Sequence, residues 1–137
     1  MSNRSRLEFE GIDPEDKSGV QTALYHIERS KVDELIKNEM ESKLQRIRCI
    51  PSVISNPLVV YKGWNREGFE QCLAFVGIPD HDYSPKGVEL PPQKNRHFLI
   101  YTTPNRRIKE WGWDVFDPND ESMRENQFGK EWVQLWP

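Results

Sequence analysis

Four segments rich in β-branched and aromatic residues follow one another between residues 58 and 116, and they constrain the fold more than any other feature. Such segments, bounded by Gly, Pro and Asn, are typical of β-strands. They comprise Leu58–Gly63, Gln71–Ile78, His97–Thr103 and Ile108–Phe116. Consecutive strands joined by short turns favour an antiparallel sheet. In the third segment, alternation places Phe98 and Ile100 on one face and Leu99 and Tyr101 on the other.

A stripe of apolar residues at helical spacing precedes these strands. It indicates an amphipathic helix that covers one face of the sheet. The stripe consists of Val32, Leu35, Ile36, Met40, Leu44 and Ile47. Ser30 with Asp33 resembles a capping box at the start of this helix. Pro51 disfavours the helical conformation in the residue before it, which predicts that the helix ends near Cys49.

The segment before this stripe is predicted to form a shorter helix over residues 20–28, with Leu24 and Ile27 on one face. Residues 1–18 are polar and charged, which predicts a flexible N-terminal arm. Helices followed by strands are typical of an α+β fold. The sequence therefore predicts one α+β domain over residues 19–137, with N-terminal helices packed on a four-stranded, mainly antiparallel sheet.

Two other segments have a distinctive composition. Residues 128–137 contain Trp132 and Trp136, and so aromatic a segment is expected to dock on the domain rather than remain disordered. The segment Pro79–Asn95 carries four prolines and shows no periodicity. Irregular loops of this length are either solvated connections or functional lids, and the sequence leaves both interpretations open.

The composition excludes several classes of protein. The two cysteines, Cys49 and Cys72, are too few for a secreted disulfide scaffold. The chain opens with no leader-like segment, and no apolar run approaches the roughly 20 residues that span a bilayer. The histidines and cysteines lack zinc-ligand spacing, so no metal site and no cofactor are predicted. These features predict a cytoplasmic protein without a membrane segment.

A basic segment stands out in a chain with a net charge of -3. Between Lys94 and Lys109 there is no acidic residue, and the segment holds Lys94, Arg96, His97, Arg106, Arg107 and Lys109. One interpretation is a phosphate site, since arginine offers a fixed set of donors and an imidazole exchanges protons near neutral pH. Tyr101 and Trp111 would then stack on bases. The other interpretation is a solvated turn that is neutralised by the acids of residues 110–131.

The order of elements resembles a known family. A helix with His26, a second amphipathic helix, Asn56-Pro57 leading into the first strand, and a four-stranded meander are similar to the barnase–EndoU–colicin–RelE type ribonuclease toxins. The resemblance implies metal-independent cleavage of RNA, in which side chains transfer protons and cations stabilise the phosphorane. By position, it assigns acid/base roles to His97 and His26. It assigns phosphate binding to Arg106, Arg107, Lys62 and Lys109, and the basic segment adds Arg96 and Tyr101 as substrate-binding candidates.

A second hypothesis comes from a different class of function. The acidic pI of about 5.7 and the lack of a catalytic motif suit a non-enzymatic protein-binding module, such as an immunity, antitoxin or adaptor protein. Trp64 and Trp136 would be the aromatic anchors of its interface. A homodimer through the aromatic C-terminal segment is compatible with either hypothesis.

The two consecutive arginines receive different expected roles. Neighbouring residues on a strand face opposite sides, so only one of Arg106 and Arg107 shares a face with His97. We expect Arg106 to face the ligand and Arg107 to pair with an acid of residues 110–131. On this hypothesis, Arg106→Ala weakens RNA binding, whereas Arg107→Ala lowers stability.

Overall fold

A five-stranded antiparallel sheet lies at the centre of the computed structural model, which describes residues 6–64, 70–80 and 96–137. The α+β class and the antiparallel sheet are therefore confirmed. The strands are β1 Arg6–Ile12, β2 Thr22–Glu28, β3 Val59–Trp64, β4 Gln71–Gly77, β5 Arg96–Thr102, β6 Ile108–Val115 and β7 Val133–Trp136. The large sheet has the order β6-β5-β4-β3-β7, with one strand more than predicted, and β1 and β2 form a separate two-stranded sheet.

Both faces of the large sheet are covered. Antiparallel pairing sets Phe75 opposite Ile100 and Val76 opposite Leu99. Phe75 and Ile100 belong to a core on the first face, whereas Val76 and Leu99 belong to a smaller core on the second face. The alternation predicted for the third segment is therefore confirmed, with Phe98 in the first core and Tyr101 packed against the second. A strand that is buried on both faces needs an apolar residue at nearly every position, as β4 has.

The β1–β2 hairpin covers part of the first face, and the helix predicted over residues 20–28 is wrong. Tyr25 and Ile27 are fully buried, whereas Leu24, directly before Tyr25, is 59% exposed. Apolar burial at every second residue is the strand period, and the pairing with β1 satisfies the backbone groups of both strands. Strand β1 lies within residues 1–18, for which the sequence had predicted no strand.

The predicted helix from Val32 to Ile47 is also wrong as a single element. It is divided into α1 Arg29–Lys37, α2 Glu41–Gln45 and a 3-10 helix Arg46–Cys49, which are followed by α3 Ile50–Ser55. Glu39 interrupts the helix with a φ of 55°, the left-handed region in which a helix cannot continue. Because the direction changes there, Leu35 is buried but Ile36 and Met40 lie about half exposed.

The predicted start and end signals of this helix also differ from the structure. Glu28 is the N-cap of α1 and Ser30 lies inside the helix, so the capping box does not form. Pro51 occupies the first turn of α3, where its missing N–H costs nothing, and so it begins a helix there. Val53 and Ile54 of α3 are fully buried in the first core.

The C-terminal residues complete the second face. Helix α4, Glu121–Phe128, begins at Asp120, whose side chain accepts a hydrogen bond from the Met123 N–H at 3.2 Å. Phe128 is buried 4.9 Å from the ring of Tyr61, and the Trp132 ring meets Tyr61 edge-on at 5.5 Å. Strand β7 then pairs with β3. The expectation that the aromatic segment docks on the domain is confirmed, although its strand had not been predicted.

The outer strands of the large sheet carry side-chain bonds on their backbone groups. On β7, the Leu135 carbonyl accepts a bond from Lys17 Nζ at 2.9 Å. On β6, the N–H groups of Trp111 and Val115 donate to the carboxylates of the residues before them, at 3.1 and 2.8 Å. Such bonds occupy groups that an added strand would otherwise use.

Several predicted features lie outside the described residues. These are most of the irregular loop Pro79–Asn95, the turn with Asn65 and Gly68, and the cation Lys94. Among the described residues, none of the helices has both the length and the apolar composition needed to cross a membrane.

The packing of β3 against α4 generates a prediction about Gly63. A Cβ atom at this position would lie 2.4 Å from the Phe128 carbonyl oxygen and 2.8 Å from the Phe128 Cβ. Because the nearer contact is backbone, the Gly63→Ala variant must displace α4, and we expect a loss of about 1–3 kcal/mol in the free energy of unfolding. Gly112→Ala is the control, since its Cβ would meet nothing within 4 Å. Equal urea midpoints for the two variants would contradict this account.

Candidate functional site

The turn from Thr103 to Arg107 joins β5 to β6 and is a three-residue hairpin loop. The Arg106 N–H donates to the Thr103 carbonyl and the Thr103 N–H donates to the Arg107 carbonyl, both at 2.9 Å. Arg106 has a φ of 69°, the left-handed conformation that such loops require at their last position. Pro104 and Asn105 therefore supply only part of the turn chemistry, and Arg106 completes it.

The Arg106 side chain points towards the β1–β2 hairpin. Its guanidinium lies 3.7 Å from the Asp13 carboxylate, and its charge lies near the Tyr25 hydroxyl. Burial raises the pKa of Tyr25 to about 12, and the nearby Arg106 charge opposes part of that shift. Arg106 therefore connects the turn to the hairpin through Asp13, and the expectation that it faces a ligand stays a prediction.

Arg107 takes the exposed position instead. Its backbone forms a parallel bridge with His26, whose N–H donates to the Arg106 carbonyl at 3.0 Å. Among the described residues, the Arg107 side chain is exposed and forms no ion pair. The expectation that it pairs with an acid of residues 110–131 is therefore wrong. The left-handed residue before it reverses the alternation on which that expectation was based.

Arg107 lines a shallow groove between the start of α1 and the start of β6. The groove has a volume of about 270 Å³, and its lining consists of Glu28, Ser30, Lys31, Glu34, Arg107, Ile108 and Lys109. Ile108 is almost fully buried and forms an apolar floor. Three cations and two carboxylates line the groove, and Glu70 pairs with one of these cations, so positive and negative groups alternate there without a large net charge.

The cations of the groove differ in how far they are already neutralised. Lys109 Nζ lies 2.7 Å from Glu70, and this ammonium group lowers the pKa of the Glu70 carboxyl. In the described part of the chain, Lys31 and Arg107 have no such partner. The unpaired positive charge of the groove is therefore concentrated on these two side chains.

His26 stands beside the groove, paired with a residue of its wall. Its Nε2 atom lies 3.3 Å from the Glu28 carboxylate, and only 14% of the His26 side chain is exposed. The pair is formed because residues two apart on strand β2 face the same side. The structure thus brings together three of the predicted site residues, namely His26, Arg107 and Lys109.

His97 is not part of this group. Its Nδ1 lies 2.8 Å from the Phe116 carbonyl, and its strand partner is Asp114. His97 faces the second side of the sheet, as Leu99 does, whereas the β1–β2 hairpin lies on the first side. His97 and Thr102 are also five positions apart on β5, about 17 Å along the strand. The two histidines predicted as an acid/base pair therefore lie apart.

The remaining candidates are also dispersed. Arg96 stacks over the Trp113 ring at 3.9 Å. Lys62 lies on β3, between Leu73 and Val133 on its neighbouring strands. Tyr101 packs beneath α4 with its hydroxyl 3.3 Å from Gln127 Oε1, and burial raises its pKa. Trp111, proposed to stack on bases, is buried, and its indole N–H donates to the Lys43 carbonyl at 2.9 Å.

The described residues provide neither a reactive cysteine nor a metal-ligand cluster. Cys72 is a buried free thiol, and burial raises its pKa to about 11, which disfavours the reactive thiolate. In the ranges that the structure describes, no group of three or more His, Cys, Asp or Glu is arranged to hold a metal ion.

Sequence reasoning missed four residues of the groove, Glu28, Ser30, Lys31 and Glu34. All four follow His26 within eight positions. Because a helix was predicted over residues 20–28, the junction between strand β2 and helix α1, where these residues lie, was not recognised. A period-2 interpretation of Ala23, Tyr25 and Ile27 was the signal that could have placed them.

Comparisons of the chain with protein-family models, curated proteins and solved structures found no match.

The different environments of the two arginines generate a stability prediction. Arg106→Ala removes the contacts with Asp13 and Tyr25 and leaves a Cβ in a left-handed conformation. Since 39% of the Arg106 side chain is exposed, we expect solvent screening to limit the loss to about 1 kcal/mol. Arg107→Ala should stay within about 0.5 kcal/mol of the wild type.

Arg106→Gly separates the side-chain contacts from the backbone conformation. It should be more stable than Arg106→Ala by about 1 kcal/mol, because glycine adopts a positive φ without steric cost. Urea unfolding of the three variants measures these differences. A larger loss for Arg107→Ala than for Arg106→Ala would contradict the assignment.

Proposed function

We propose that the groove between α1 and β6 binds the sugar-phosphate backbone of single-stranded RNA. The observation that carries this proposal is the exposed Arg107, which has no ion pair among the described residues and faces the same groove as Lys31 and Lys109. A guanidinium offers two parallel donors that match a phosphodiester, and the neighbouring ammonium groups add charge. The Ser30 hydroxyl supplies a further donor in the same groove.

The carboxylates of the groove favour RNA over a free phosphate or DNA. Glu34 is exposed and forms no ion pair within the described ranges. An ionised carboxylate repels phosphate oxygens but accepts a hydrogen bond from a hydroxyl group. The ribose 2′-hydroxyl lies next to each backbone phosphate and distinguishes RNA from DNA. A groove that mixes cations with a free carboxylate therefore suits a ribose-phosphate unit.

The geometry supports binding better than cleavage. Displacement at phosphorus places the attacking and leaving oxygens in line, on opposite sides of the phosphorus atom. His26 and Glu28 contact each other and so approach a bound phosphate from the same side. His97, the other candidate for proton transfer, lies on the opposite face of the sheet. We therefore propose an RNA-binding role. Cleavage would require a second proton-transfer group on the other side of the phosphate.

Protein binding is the alternative function. It predicts clustered exposed aromatic side chains. Trp64 is 46% exposed, but Trp136 packs partly against the first core. The cation-lined groove is the more specific feature, and it favours RNA as the first ligand to test.

The proposal predicts salt-dependent RNA binding that involves Arg107. A short single-stranded RNA should bind at low ionic strength, measured by fluorescence anisotropy, and its affinity should fall as salt rises. Arg107→Ala should weaken binding and reduce the slope of log K against log salt by about 0.7, the value for one phosphate contact on a single strand. The DNA strand of the same sequence should bind more weakly than the RNA.

Lys37→Ala is the matched control, because it removes one positive charge from an exposed position of α1 outside the groove. This variant should keep the salt slope of the wild type. Absence of salt-sensitive binding by the wild type would end the RNA proposal. Equal effects of the two variants would show that net charge, and not the groove, controls binding.

A further inference from the structure

The position of Arg107 depends on how its turn is held against strand β2. The backbone contributes the His26 N–H to Arg106 carbonyl bond of 3.0 Å and the parallel bridge between His26 and Arg107. These two contacts set the spacing between Arg107 and the His26–Glu28 pair. A turn that moved away from β2 would carry Arg107 out of the groove.

The Arg106 side chain supplies a second attachment between the turn and the hairpin. It lies 3.7 Å from Asp13, beyond the end of β1, and its charge lies near the Tyr25 hydroxyl on β2. That hydroxyl donates to the Ile12 carbonyl at 2.6 Å, and Tyr25 is fully buried. Tyr25 is therefore fixed by the core, and the ion pair with Asp13 restrains a residue that is held in a left-handed conformation.

We infer that Arg106 is a positioning residue for RNA binding, and that its contacts with Asp13 and Tyr25 hold Arg107 in the groove. The inference rests on the proposed function of the groove. It gives the β1–β2 hairpin a role at the site, since Asp13 and Tyr25 act on the ligand only through Arg106.

The effect of removing the Asp13 charge on RNA affinity distinguishes a positioning role from a purely electrostatic one. Asp13 carries a negative charge close to the basic turn, so removing that charge would strengthen the binding of a polyanion if Asp13 acted only through its field. If Asp13 acts by holding Arg106, the same change weakens binding. The two mechanisms therefore predict opposite effects for Asp13→Asn.

The Asp13→Asn variant keeps the local structure of the loop. An asparagine oxygen can still accept the bond that Asp13 Oδ1 receives from the Glu15 N–H at 3.1 Å. Asp16→Asn is the matched control, because it lies in the same loop and makes the same change in net charge. Asp16 accepts bonds from Ser18 and Gln21 and forms no ion pair with Arg106 among the described contacts.

The experiment measures RNA affinity of both variants by anisotropy at low ionic strength, well below their melting temperatures. Asp13→Asn should bind more weakly than the wild type, on the order of three- to tenfold. Asp16→Asn should bind as tightly as the wild type or more tightly. Tyr25→Phe, which removes only the hydroxyl, should weaken binding in the same direction as Asp13→Asn.

Hydrogen exchange of the His26 amide provides a readout that does not depend on the ligand. Asp13→Asn should speed this exchange, because the amide donates to the restrained Arg106 carbonyl. If the wild type binds RNA and Asp13→Asn binds equally or more tightly, the positioning inference is overturned and the proposed function stands. If the wild type shows no salt-sensitive binding, the proposed function is overturned and the inference with it.

Discussion

The burial of Tyr25 is the interaction on which the rest of the structure depends. Its ring meets Phe75 of the central strand edge-on, with 5.3 Å between ring centroids, and it carries the β1–β2 hairpin onto the first face of the sheet. Its hydroxyl cannot be buried without partners, since an unpaired buried hydroxyl costs about 1–3 kcal/mol. The Ile12 carbonyl accepts a hydrogen bond from it at 2.6 Å, and the Arg106 charge lies nearby. One side chain thereby connects the core, the hairpin and the basic turn, so the shape of the candidate site follows from core packing.

The strands of the large sheet could be predicted because their sequences admit few alternatives. Four short apolar segments with β-branched residues and intervening turns leave little choice but an antiparallel meander. The segment before α1 was ambiguous, because Leu24 and Ile27 suit a helical face while Tyr25 and Ile27 suit a strand face. Tertiary contacts decide between them: β1 supplies backbone partners, and Phe75 supplies a surface for Tyr25. The period-2 spacing of Ala23, Tyr25 and Ile27 is compatible with a strand, but residues 20–28 alone do not specify the partners that select it.

The candidate site could be predicted only in part, for a related reason. The basic segment was visible, but the roles of its two arginines depend on the φ of Arg106. A left-handed residue at the end of a hairpin loop changes the side of the sheet towards which the next side chain points. An arginine at that position is not a sequence signal for the left-handed conformation. The grouping of His26 with Arg107 depends on a bridge between residues 81 positions apart (107 − 26). Such pairings follow from the packing of whole elements, which propensities do not describe.

The distribution of ion pairs leaves Arg107 as an exposed cation with no carboxylate partner within 4 Å among the described residues. Asp13 occupies Arg106, Glu70 occupies Lys109, and Glu110 contacts Lys43. Each pair lowers the positive electrostatic potential at long range, so the long-range attraction of a polyanion such as RNA should be weak. No described carboxylate lies within 4 Å of the Arg107 charge, and the apolar Ile108 lines the same groove. A low-polarity floor strengthens a contact with one phosphate more than solvent-exposed charge does. Affinity at this site would then come from local contacts and the fixed position of one guanidinium, which makes the restraint on its turn as important as the charge itself.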